Sequence, residues 1–253
     1  MIWLLPWGQD NHVKHVSWAV YALIAINAAV FAWTATGVPG EQEAIFLRYG
    51  LPVDDWRWYQ FVTANFLHGD IVHLVGNMLF LWLFGDSIED ALGTIGFLLL
   101  YVVGGLLGDL LYVHNNVGAE LPSIGASGCI AAIAGAYGVM FYDRSVNIRL
   151  MLLVFTLTTF SVRALWVVLF WFGADLLRTL DGSGQLSEAD GVNYVAHGIG
   201  FLCGALLGLI ARLHGVMRRY ERLSQGSAWF GYWPDALERR AGRAMQRGPR
   251  RYR

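Results

Sequence analysis

Long apolar runs alternate with short polar breaks along most of the chain. A helix needs roughly 20 mostly apolar residues to cross a bilayer core, and six segments meet that requirement: about 16–36, 71–91, 94–113, 125–142, 161–180 and 192–213. The fifth is the least regular. Residues 148–180 are apolar but too long for one simple crossing, Arg163 interrupts them, and Asp175 and Arg178 weaken the far end. The stretch 150–160 reads as a membrane-dipping or interfacial approach to that span. The N-terminal stretch "MIWLLPWGQDNHVKH" lacks the basic start, long apolar run and small-residue cleavage site of a secretory signal, so the first span is expected to be retained.

Composition strengthens the membrane reading. Of 253 residues, 56% are hydrophobic and 15% charged, against about 25% charged in an ordinary soluble domain. Eleven Trp and thirty Gly suit interfacial belts and close helix contact. Cys129 and Cys203, the two cysteines, lie in apolar runs without metal-ligand or disulfide spacing. There is no phosphate-binding loop, haem motif or metal-ligand cluster, so no cofactor and no metal are expected.

Basic residues set the expected orientation. Residues 212–253 hold eleven arginines and three acids, whereas 181–191 hold Asp181, Glu188 and Asp190 without a base. Both termini are therefore expected in the cytoplasm, of a bacterial inner membrane in this reading, with the acidic loops outside. The chain divides into a short cytoplasmic segment 1–15, a six-helix membrane domain 16–213 and an Arg-rich tail 214–253. The tail either fixes topology or also touches anionic lipid; no fold or motif accompanies its charge to suggest nucleic acid.

Spans two, four and six then run in the same direction, and their polar residues collect near their outer ends. Span two brings His68, His73 and Asn77, span four Ser127, and span six His197. Each alone could be interfacial or a helix–helix hydrogen bond, but their shared depth points to a site. Small residues offer the packing. Gly200, Gly204 and Gly208 form one stripe, and Ser127, Ala131, Gly135 and Gly138 another. If the stripes meet in parallel, Ser127 and His197 come together. A serine hydroxyl needs a base to remove its proton, and imidazole titrates in the right range. The start of a helix offers free N–H groups, and His73 with Asn77, one turn apart, can add donors for an oxyanion. No acid clearly completes a triad; Asp109 and Asp175 are candidates by composition only.

These residues resemble the rhomboid intramembrane serine proteases over about 16–213. The likeness lies in Trp56–Arg57 of the first loop, "HGDIVHLVGN" (His68, His73, Asn77), Glu89 with Gly93, "GASG" (Gly125, Ser127, Gly128) and "AHGIGFLCG" (His197, Gly200, Gly204). The resemblance implies an all-α, six-helix bundle with a membrane-embedded first loop. It also implies a Ser127–His197 dyad, an oxyanion site from the Ser127 N–H, His73 and Asn77, and cleavage in or near the transmembrane helices of membrane-protein substrates. One position departs: the family often carries an aromatic ring four residues after the serine, stacked on the histidine, and here it is Ala131, where a tyrosine is expected to be tolerated. A non-catalytic relative that binds client helices, and a small transporter, are the competing classes. The former usually lacks the serine or histidine, and the latter would show broken helices and repeat symmetry at mid-membrane.

Overall fold

A computed structural model describes residues 2–11, 13, 16–37, 40–115, 121–152, 155–180 and 194–225. The acidic segment 181–191, the first two residues expected in span six, and the arginines beyond residue 225 lie outside the described residues. The element order is β1 (Ile2–Gln9), α1 (Trp18–Ala35), α2 (Glu41–Tyr49), α3 (Gln60–Thr63) running into a 3-10 turn (Ala64–Phe66), α4 (Ile71–Asn115), α5 (Ser127–Met140), β2 (Ser145–Leu152), β3 (Phe155–Arg163), α6 (Ala164–Leu180), α7 (Tyr194–Leu213) and α8 (Val216–Gln225).

Among the described residues, three helices are long and apolar enough to cross a membrane: 18–35, 71–114 and 194–213. The second has 44 such residues, about 66 Å if straight and more than twice a hydrocarbon core of roughly 30 Å. It is not straight. Gly93 adopts φ 74 and ψ 164, a conformation open to glycine and strained for other residues. The break lets the chain turn back on itself. Before it, Asn77 lies by Gly125 and Phe84 stacks near Tyr137, so this half runs parallel to α5. After it, Gly104 abuts Ala132 and Gly105 abuts Cys129, so the second half runs antiparallel. The two spans expected at 71–91 and 94–113 are these halves.

Helix α5 is the axis of the molecule, with twelve of its residues buried. Small residues permit this. A Cβ on Gly204 would strike the Ala132 carbonyl, one on Gly135 the Phe201 carbonyl and one on Gly208 the Ala136 backbone, at 2.9 Å from its Cα. The order 200–204–208 against 128–132–136 makes α5 and α7 parallel. Glycine-to-backbone contact replaces side-chain interdigitation here and brings the two axes unusually close. Aromatic pairs fill the wider gaps, with Phe84 and Phe141 on Tyr137 and Phe172 on Phe201.

The fold is not all-α. Strands β1, β2 and β3 form an antiparallel sheet in that order, with Pro6 opposite Ile148 and Ile148 opposite Phe160. The stretch expected to dip into the membrane is therefore the β2–β3 hairpin, and α6 starts at Ala164 rather than 161. The physical reason is visible in the composition of 145–163. It is rich in Val, Ile, Thr and Phe, which favour a pleated surface, and its pairing with residues 2–9 supplies the ladder. A period of two shows at the start of the stretch, where Ser145, Asn147 and Arg149 alternate with the apolar Val146, Ile148 and Leu150, and is lost in the apolar stretch 150–155. The sheet and α8 occupy the end of the bundle away from Ser127, since β2 follows the last turn of α5 and α8 follows the last turn of α7.

Candidate active site

Ser127 is the first residue of α5 and half-buried. Its helix has 14 residues, about 21 Å, shorter than a hydrocarbon core of roughly 30 Å. A helix that reaches one membrane face over that length starts below the other. The first intrahelical bond is donated by the Ile130 N–H to the Ala126 carbonyl, so the N–H groups of the preceding residues point out of the helix start without an intrahelical acceptor.

The approach to Ser127 is tightly held. Gly125 has φ 117 and donates its N–H to the Ala64 carbonyl at 2.9 Å. Ser123 and Leu51 exchange both backbone hydrogen bonds, at 2.8 and 3.0 Å. The first loop thus fixes the segment that delivers the serine. Only glycine fits at 125. Its φ is one that L side chains rarely adopt, and a Cβ there would lie 2.7 Å from His73 Nε2 and 3.8 Å from Asn77 Nδ2. His73 and Asn77 therefore face the backbone immediately before Ser127, one turn apart on α4. Asn77 is buried and its Nδ2 has no hydrogen-bond partner.

Helix α7 closes the other side. A Cβ on Gly128 would meet Ala196 Cβ at 3.5 Å, and one on Gly108 would meet the Ala196 carbonyl at 2.8 Å; a Cβ on Gly200 would strike the Gly128 carbonyl. His197 follows Ala196 and so stands level with the first turn of α5, half-buried. The ring beside it comes from its own helix: Tyr194 meets His197 edge-on at 6.4 Å. Ala131 is fully buried, and its Cβ lies 3.5 Å from where a Cβ on Gly200 would be. No space for a ring exists there. The pair Tyr194 and His197, three apart on one helix, is readable in "NYVAH".

His68 is fully buried just before α4, its ring edge-on to His73 at 5.0 Å. Burial, with repulsion from His73 second, pushes its pKa down to about 4, so it is neutral at physiological pH. Asp70 accepts the backbone N–H groups of Val72 and His73 at 2.7 and 2.9 Å, capping α4. The His73 backbone bond is the main cause that holds Asp70 below its usual range.

The remaining sequence candidates lie elsewhere. Trp56 packs edge-on against Phe61, and the Arg57 N–H donates to Gln60 Oε1 at 2.6 Å, so both shape the first loop. Glu89 is at the opposite end. Its two oxygens accept the N–H groups of Ala19 and Val20 at 3.1 and 3.0 Å, capping α1, and Thr94 Oγ1 donates to it at 2.7 Å. Asp109 is buried and accepts from Asn65 Nδ2 at 2.9 Å; Asn65 also donates to the Phe61 carbonyl and accepts from Cys129 Sγ at 3.2 Å. Asp109 thus anchors the loop residue next to Ala64, whose carbonyl holds Gly125. The Asp175 side chain lies outside the described residues. Among the described residues no cluster of His, Cys, Asp or Glu could hold a metal ion.

Comparison with known proteins identifies the family. The family model described as Rhomboid domain matches residues 55–214. Putative rhomboid protease YdcA of Bacillus subtilis (strain 168) is 28% identical over 153 residues, 59% of this chain and 70% of its own length. Rhomboid-like protein 11, chloroplastic, of Arabidopsis thaliana is 30% identical over 206 residues, 79% of this chain and 65% of its own. Rhomboid protein 1, mitochondrial, of Saccharomyces cerevisiae (strain ATCC 204508 / S288c) is 27% identical over 227 residues, 87% of this chain and 60% of its own. This chain therefore spans about two thirds of the length of these relatives.

Proposed function

Because the chain belongs to the rhomboid family, we propose that this integral membrane protein is an intramembrane serine endopeptidase that cleaves peptide bonds in or near the transmembrane helices of other membrane proteins. One observation carries the reading. Gly125, two residues before Ser127, presents its backbone to His73 Nε2 and to the unpartnered, buried Asn77 Nδ2. An orphan donor in a membrane is costly, and a developing oxyanion would satisfy it.

In this mechanism His197 removes the Ser127 proton as the hydroxyl attacks the scissile carbonyl. The oxyanion accepts hydrogen bonds from the Ser127 N–H, His73 and Asn77, reinforced by the positive end of the α5 dipole. His197 then gives its proton to the leaving amine. Water attacks the acyl-enzyme with His197 again as base. Tyr194 and the close α5–α7 contact orient the imidazole, and the pair works as a dyad. Asp109 is a positioning residue in this scheme, acting through Asn65 and Ala64 on Gly125. The short α5 supports a serine set below the membrane surface, so the hydrolytic water has to reach it from the outer side.

The six crossings of this reading are α1, the two halves of α4, α5, α6 and α7, within a catalytic domain of residues 16–213. The arginines from 212 onward favour a cytoplasmic tail and an active site opening on the outer side of a bacterial inner membrane. The names of two relatives place those proteins in chloroplast and mitochondrion.

The test uses wild type, Ser127→Ala and His197→Ala in detergent with a transmembrane-peptide substrate. Both variants should lose cleavage by at least about 10³-fold, and a fluorophosphonate should label wild type at Ser127 but not the alanine variant. Equal cleavage by wild type and Ser127→Ala would overturn the protease reading. Client binding without cleavage or labelling would establish the non-catalytic alternative.

A further inference from the structure

Strand β3 is exposed along most of its length and forms the outer edge of the sheet. Leu152 and Phe155, register partners at the tip of the hairpin, are both exposed, Phe155 at 69%. Leu157 and Phe160 of the same strand and Leu4 and Trp7 of β1 are exposed as well. So many large apolar side chains left exposed on one small sheet mark an interaction surface. Nothing in the described chain covers it.

Three observations choose its occupant. First, β3 runs into α6 without a loop, Arg163 to Ala164, and α6 goes on to expose Trp166 and, at 70%, Phe170. The apolar surface of the strand is continuous with the lipid-facing surface of a membrane helix. Second, arginine stands over aromatic faces at this end: Arg149 lies 4.0 Å from the Trp7 ring centre and Arg212 4.6 Å from that of Tyr142. Paired aromatic and cationic side chains suit the headgroup layer. Third, an open sheet edge is not tolerated within hydrocarbon, where its backbone groups find no partner. The sheet therefore belongs at interface depth, with its apolar side chains directed to the acyl boundary and its edge to hydrated headgroups. The register shift between Leu150 and Met151 disturbs the ladder and disfavours edge-to-edge addition of a second copy.

We propose that the three-stranded sheet is a membrane-interface platform, seated on the phospholipid layer at the end of the bundle away from Ser127, with β3 as the lipid-contacting strand. It ties the start of the chain, through β1, and the entry to α6 to one lipid surface, so that α6 is anchored at the end remote from the site. The inference rests on the membrane embedding of the chain and not on the chemistry of Ser127.

The full chain is reconstituted in vesicles of phosphatidylcholine and phosphatidylglycerol, with p-benzoylphenylalanine replacing Leu157, Phe155 or, as the membrane-helix control, Phe170. After illumination, intact mass is read for a shift equal to one phospholipid. Adducts at 157 and 155 at a yield comparable to 170 are expected. Adducts at 170 alone would overturn the proposal and leave the membrane embedding intact. A covalent dimer at 157 would overturn it in favour of a second copy. Absence of adducts at all three would remove the membrane premise and the proposal with it.

Discussion

Two buried side chains beside the proposed oxyanion position are expected to respond differently to substitution. Asn77 Nδ2 is a buried donor without a partner. Asn77→Ala is expected to lower kcat by about 10²–10³-fold, the usual effect of losing one oxyanion donor, with KM nearly unchanged; steady-state kinetics on a transmembrane-peptide substrate checks the split. A purely structural Asn77 would instead lower the melting temperature while sparing kcat of the folded fraction. His68 contributes through its protonation state. Its folded pKa of about 4 lies below the model-peptide value of 6.5, so the unfolded chain binds more protons between those values. Stability is fully present above about pH 6.5 and falls as pH drops towards 4, by at most about 1.4 kcal/mol per pH unit for one group. Melting temperatures of wild type and His68→Gln between pH 4 and 7 check this, and the variant should show a flatter acid limb. The candidate site was legible in the sequence at this scale because polar residues stand out against an apolar background. Ser127, His197, His73 and Asn77 became candidates that way. Asn65 and Tyr194 did not, because Asn65 sits in a loop of mixed polarity and Tyr194 looks like an ordinary interfacial aromatic.

Among the elements, α5 and α7 show what a glycine stripe can and cannot predict. Spacing of four indicated a close face, the count of spans indicated the parallel direction, and the contacts of Gly200, Gly204 and Gly208 with residues 128, 132 and 136 occur in that order. The space left at position 131 could not be read from spacing, because it depends on how near the partner backbone comes. Ala131 is fully buried against Gly200. The structure thus reverses the expectation of tolerance: Ala131→Tyr should overpack the α5–α7 contact. Inserting even a few methylenes into a packed core typically costs about 1–3 kcal/mol, and a phenol ring exceeds that. The expected outcome is a lower melting temperature and lost cleavage, while Ala131→Gly loses only modest stability. Retained stability with full activity in the tyrosine variant would show that α7 can move outward. The sheet was missed for a related reason. Residues 145–150 alternate polar and apolar, but the apolar stretch from 150 to 155 interrupts that pattern, and the third strand of the sheet, residues 2–9, lies more than a hundred positions earlier. Pairing over that separation leaves no local signature.

At the scale of the whole molecule, the two ends of the bundle are held by different means. The Ser127 end is packed by glycine and alanine against backbone, whereas the opposite end is joined by a polar cluster drawn from the beginning, middle and end of the described chain. Tyr220 of α8 donates to Asp90 Oδ2 at 2.9 Å and accepts from Asn11 Nδ2 at 3.3 Å; Asn11 also donates to Ser87 Oγ at 2.8 Å, and Ser87 donates to Gln9 Oε1 at 2.9 Å. Tyr220 and Asn11 are buried, so water replaces these bonds poorly if they are lost. The segments they join are α8, the end of β1 with the residues just after it, and the last turns before the Gly93 break. None of these touches Ser127, His73, Asn77 or His197 in the contacts described above. Tyr220→Phe keeps the ring against Phe141, 5.8 Å between centres, and removes only the hydroxyl. The expected loss is about 1–3 kcal/mol of stability, the value of a buried hydrogen bond to a carboxylate, with kcat/KM of the folded enzyme unchanged. Thermal unfolding and peptide cleavage measured on the same detergent preparation separate the two quantities. A fall in kcat without a fall in melting temperature would mean that this remote cluster communicates with the serine along α4 and does not serve only as a clasp.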